Sequence, residues 1–155
     1  MNTINKNPGG FTLIELVFVA GILAVVLTGM IQLFIHTSVT AELSGNKTLA
    51  VAEAHNKLEE MRNHSFDLIA TDYASGGTPG DTFNLTNLTG KGKIYIDNSN
   101  PSLLTLKVVI AWQNKYNRIV GEDLDLDGTL DGGEDTDSDG VLSSPITLIT
   151  MVSER

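Results

Sequence analysis

The chain has no cysteine, so no disulfide can staple it and no thiol chemistry is open to it. Basic residues are scarce: ten Lys and Arg stand against nineteen Asp and Glu, a net charge of −9. A surface that neutralises nucleic-acid phosphates needs the opposite balance, so no direct nucleic-acid binding is expected and a cation is the better-matched partner. The three histidines, His36, His55 and His64, are spread along one predicted helix without metal-ligand spacing. No serine or cysteine nucleophile arrangement accompanies them, and nothing points to an enzyme. Charge is also nearly absent from Phe11 to Ile35, where Glu15 is the single ionisable side chain.

That apolar run is long enough to span a membrane, since 25 residues at about 1.5 Å each exceed a hydrocarbon core of about 30 Å. It is too long for the apolar region of an ordinary secretory signal, which covers about 7–15 residues and ends in a small-residue cut site. Lys6 before the run and Lys47 well beyond it give little orientation by charge. A carboxylate inside a span is costly and calls for a partner. It lies in the stretch Gly9-Gly10-Phe11-Thr12-Leu13-Ile14-Glu15-Leu16.

This stretch resembles the processing site of type IV pilins and type II secretion pseudopilins. The resemblance implies that a prepilin peptidase cuts after Gly10 and that the new amino terminus, Phe11, is methylated. It implies that Glu15 pairs with the amino terminus of a neighbouring pilin or pseudopilin subunit during filament assembly. It also places the leader in the cytoplasm, the helix in inner-membrane lipid before assembly, and the mature subunit in an extracytoplasmic pilus or pseudopilus. Many major pilins have a proline midway through the span; Thr28 to Phe34 has none, which favours a minor pilin or a pseudopilin. The alternative is an uncleaved, membrane-anchored calcium-binding module.

Past the span the pattern turns amphipathic, with Val51, Ala54, Leu58 and Met61 at helical spacing. One helix from about Phe11 to about Asn63 is expected, with a bend possible at Gly45-Asn46. From about Asp72 to Asn100, Gly, Thr, Asn and Ser dominate, predicting surface loops with one short strand at Lys93–Ile96. Leu104, Leu106, Val108, Ile110 and Trp112 alternate with more polar positions, as do Ile146, Leu148, Thr150 and Val152. Two antiparallel neighbouring strands are expected. The fold class is α+β, a long helix packed on a small antiparallel sheet. Its parts are a leader at 1–10, a membrane and filament-core helix at 11–35, an amphipathic half at 36–65, and a head at 66–155.

Within the head, an acidic loop at 122–140 holds nine of the nineteen acidic side chains and no basic one. A bare charge run of this kind would be a self-repelling loop. Its spacing argues for a metal site instead. Asp123, Asp125, Asp127, Gly128 and Glu134 complete the Asp-x-Asp-x-Asp-Gly-x5-Glu pattern of a calcium loop. Alternate carboxylates supply hard oxygens, glycine allows the turn, and glutamate can give both oxygens. Thr129 would offer its carbonyl, Asp131 a direct or water-mediated ligand, and Leu130 would face inward. A second copy, Asp135, Asp137, Asp139 and Gly140, has Ile146 where its closing glutamate belongs. It either borrows a ligand or binds weakly. Tyr116–Val120 looks strand-like and Ser143-Ser144-Pro145 is a poor helix start, so the resemblance is to the loop of dockerin-like bacterial calcium repeats, without flanking helices.

Overall fold

A computed structural model describes residues 10–154, leaving out the Tyr116 side chain. The expected leader, 1–10, lies outside the described residues except for Gly10. Helix α1 runs from Leu13 to Arg62, a short helix α2 from Phe66 to Asp72, and five strands follow. These are β1 (Thr82–Asn84), β2 (Gly90–Asn100), β3 (Leu103–Asn114), β4 (Arg118–Val120) and β5 (Ile146–Ser153). The α+β layout of a long apolar helix packed on a small antiparallel sheet is thus present.

By its contacts the chain divides into residues 1–42 and 43–155. In the first unit the helix is long and apolar enough, by length and composition, to cross a membrane. Its side chains from Leu13 to Ile35 are exposed. The one hydroxyl within this stretch is satisfied on the helix itself: Thr28 Oγ1 donates to the Ala24 carbonyl at 2.8 Å, which suits surroundings without water.

In the second unit β3 is the central strand. It pairs antiparallel with β2 along one edge; its other edge is shared by β5, over Leu103–Ile110, and β4, over Trp112–Asn114. The inner side chains of β3, Leu104 to Trp112, are all buried, as the alternation predicts. They meet Ala50, Ala54, Leu58 and Met61 of α1, Ile69 of α2 and Tyr73 in one core. Ala50 takes the place expected for Val51, which is largely exposed. The i, i+4, i+8, i+11 spacing from Ala50 keeps a tighter stripe, and small alanines let the helix lie close to the sheet.

Two expectations need correction. The stretch expected to be loops with a strand only at Lys93–Ile96 contains β1 and the eleven-residue β2. Gly90 looks like turn punctuation, but it opens β2 against β3, where a Cβ would collide with the Ala111 carbonyl oxygen. The strand expected from Tyr116 begins only at Arg118, after a single 3-10 turn at Lys115–Asn117. Polar bonds brace the assembly: Glu53 Oε1 accepts the N–H groups of Thr86 and Asn87 at 3.0 Å, fixing the β1–β2 connection to α1.

Candidate cation site and amino-terminal motif

Thr12 opens α1. Its carbonyl accepts the Leu16 N–H at 3.2 Å and its Oγ1 accepts the Glu15 N–H at 3.3 Å. Glu15 is therefore the third residue of a side-chain-capped helix, where the unsatisfied N–H groups and the helix dipole favour a negative charge. Gly10 and Phe11 precede the cap and are exposed.

The chain between β4 and β5 folds into two successive turns on the outer side of the sheet. In the first, Asp123 Oδ1 and Oδ2 accept the N–H groups of Asp127 and Gly128 at 3.1 and 3.0 Å. Asp125 Oδ1 accepts Asp127 N–H, and Asp127 Oδ1 accepts Thr129 N–H. Leu126 and Gly128 take positive φ of 62° and 83°. The second repeats this bond for bond: Asp135 accepts Asp139 and Gly140 N–H, Asp137 accepts Asp139 N–H, and Asp139 accepts Val141 N–H. Ser138 and Gly140 match with φ of 60° and 78°. The Asp-x-Asp-x-Asp-Gly spacing writes this shape locally, each carboxylate capping backbone two to five residues ahead.

Carboxylate oxygens of Asp123, Asp125 and Glu134 lie within 4.8 Å of one another, as do those of Asp125, Asp127 and Asp131, and of Asp135, Asp137 and Asp139. The first loop's ends are deeply placed: Asp123 is 2% exposed and Glu134 5%. Burial pushes the Asp123 carboxyl above its usual range, opposed by the N–H groups of Gly128 and Asp127 and reinforced by Glu134. Neither carboxylate has a Lys or Arg ion pair among the described residues. Two adjacent buried carboxylates that pair with neither Lys91 nor Lys93, the lysines lining the same pocket as Asp123, fit a hard cation. Asp127, by contrast, is held below its usual range by the Thr129 hydroxyl and N–H. Thr129 and Asp131 are exposed and Leu130 is half-buried.

One residue outside the expected ligand set stands in a telling place. Glu134 closes the first loop by accepting N–H groups from its second and ninth positions, Leu124 at 2.7 Å and Asp131 at 3.0 Å. In the second loop those positions are Thr136 and Ser143. Their N–H groups go to Glu122, Oε1 at 3.0 Å and Oε2 at 2.8 Å. Ile146, at the twelfth position, is instead buried at the start of β5. The signal in the sequence was the missing glutamate itself; nothing local marks Glu122 as its substitute.

Residues 5–31 match the family model described as the prokaryotic N-terminal methylation motif, the signature of type IV pilins and pseudopilins. No curated protein and no solved structure matches the chain. The motif implies processing by prepilin peptidase and assembly with other pilin subunits. It points to a structural subunit rather than an enzyme. With the apolar helix, it fits a subunit anchored in the inner membrane.

Proposed function

We infer that this chain is a minor pilin or pseudopilin with a calcium-stabilised head, cut after Gly10, methylated at Phe11 and built into a filament. The observation that carries the reading is the methylation motif at 5–31 running directly into an apolar helix of spanning length. Glu15 fits an assembly role physically. Cleavage creates a cation at Phe11, and a neighbouring subunit's amine is the partner that a carboxylate in hydrocarbon requires. Mass spectrometry of the membrane-extracted protein tests processing: methylated Phe11 at the amino terminus is expected, and an intact Met1 would sink the reading in favour of a plain anchor. Glu15→Ala is expected to insert normally and to be depleted from filaments; undiminished incorporation would overturn the pairing role.

Calcium at the first loop is supported by its complete spacing and by the buried Asp123–Glu134 pair. The ligands would be Asp123, Asp125, Asp127, the Thr129 carbonyl, Asp131 and Glu134. Asp135, Asp137 and Asp139 form a second, weaker site. Binding to the folded state adds about 2.7 kcal/mol at a hundredfold excess over Kd. Thermal melts of the full chain in detergent, with calcium and with chelator, are expected to separate by several degrees. Superimposed melts would end the calcium reading.

A further inference from the structure

We propose that Glu122 is a latch that makes the second acidic loop depend on the first. Glu122 and Ser143 form the neck of the excursion from the sheet, where the Glu122 N–H also donates to the Ser143 carbonyl at 2.9 Å. From this neck the Glu122 side chain reaches across to Thr136 and Ser143, making the two bonds that Glu134 makes in its own loop. The second loop is thus closed by a carboxylate borrowed from the lead-in of the first.

Dependence follows from chain connectivity. Asp123, next to Glu122, is fixed by two N–H groups of its own loop and is almost fully buried. With the neck bond to Ser143 on one side and Asp123 buried on the other, folding the first loop completes the anchoring of the Glu122 backbone from which its carboxylate reaches the second. What the latch secures is Leu142, which is 2% exposed. Its N–H donates to the Tyr95 hydroxyl at 2.7 Å, and it shares a pocket with Val109 and Ala111 on the outer face of β3. The latch itself needs no ion. Its consequence for calcium, that the second loop fills only after the first, rests on the calcium reading above.

Amide hydrogen exchange on the full chain in detergent micelles tests this, first with chelator and then with calcium. With chelator, Glu122→Gln is expected to speed exchange at Thr136 and Ser143 about tenfold or more and to leave Leu124 and Asp131 unchanged. Glu134→Gln is expected to speed all four. Unchanged Thr136 and Ser143 in either variant overturns the latch, as does loss at Leu124 and Asp131 in Glu122→Gln while Val108 of β3 stays protected. If Glu122→Gln loosens Val108 as well, Glu122→Asp, too short to span both N–H groups, takes its place with the same outcomes. Calcium then separates the two readings. Latch effects in chelator with no calcium-dependent protection leave the latch and remove calcium; calcium-dependent protection with Thr136 and Ser143 indifferent to Glu122 does the reverse.

Discussion

The first acidic loop and the second share one backbone and are anchored by opposite means. In the first, buried carboxylates do the holding: Asp123 and Glu134 are sunk into the protein, while Leu130 at the eighth position is only half-buried. In the second, Asp135, the counterpart of Asp123, is only half-buried, and the eighth-position Leu142 is nearly inaccessible. Three aspartates and a glycine suffice to write the turn; what fastens it to the sheet is a separate choice, electrostatic in one copy and apolar in the other. A loop held by buried charge calls for a cation, whereas a loop held by a leucine can stay seated without one.

Equivalent substitutions in the two copies should therefore differ in opposite directions. Asp123→Ala leaves the buried Gly128 N–H without its acceptor and the Asp127 N–H with Asp125 alone; with one buried donor unpaired at about 1–3 kcal/mol and a proposed ligand removed, a loss of about 3 kcal/mol is expected with calcium present. Asp135→Ala, at a less buried position, is expected to cost about 1 kcal/mol. At the eighth position the order reverses. Leu142→Ala removes a buried side chain and is expected to cost about 3 kcal/mol, against about 1 kcal/mol for Leu130→Ala. Denaturant unfolding of the four variants in detergent checks both pairs. Equal costs within either pair would erase the distinction drawn between the loops.

The sixth-position glycines sharpen the comparison at smaller scale. Both Gly128 and Gly140 have positive φ, where an L side chain is strained by about 1–2 kcal/mol. A Cβ on Gly128 would also stand 2.7 Å from Thr82 Cγ2 on β1, whereas one on Gly140 meets nothing within 4 Å. Gly128→Ala is expected to cost about 2 kcal/mol and Gly140→Ala about 1 kcal/mol, measured in the same way. A larger cost at Gly140 would mean that the close approach of Gly128 to Thr82 on β1 does not constrain the first loop.

How far the sequence could be read follows the range of each signal. The turns of both loops were legible because each Asp bonds backbone within five residues, and β3 and β5 because alternation is a period-two pattern visible in a short window. The apolar helix was legible from composition. What escaped depended on partners distant in the chain. β2 hid behind Gly90 and Gly92, whose lack of a side chain makes room for Phe83 and for the backbone of β3. Helix α2 has seven residues, too few for helical periodicity to show. Glu122 reads as one more acid in an acidic run, because its meaning lies in Thr136 and Ser143, fourteen and twenty-one residues on.

The finest test uses two tyrosines, one beneath the second loop and one remote from both. Tyr95 is raised above its usual range by burial, against the Leu142 N–H bond that lowers it, with Asp139, Asp81 and Asp123 adding to the rise. Tyr73 is pushed up to about 12 by burial and by its bond to Glu60. An acid whose folded value lies above its unfolded value, about 10 for tyrosine, keeps its contribution to stability below pH 10 and loses it as pH climbs toward the folded value. Calcium near Asp123 and Asp139 cancels part of the negative field on Tyr95, and Tyr73 has neither aspartate among its causes. Ultraviolet titration of tyrosinate is thus expected to show one transition that moves to lower pH when calcium replaces chelator, and another, near 12, that stays. Tyr95→Phe should abolish the moving transition alone. If the calcium-sensitive transition survives that substitution, the charge of the loops is felt elsewhere, and the second loop is not seated over Tyr95.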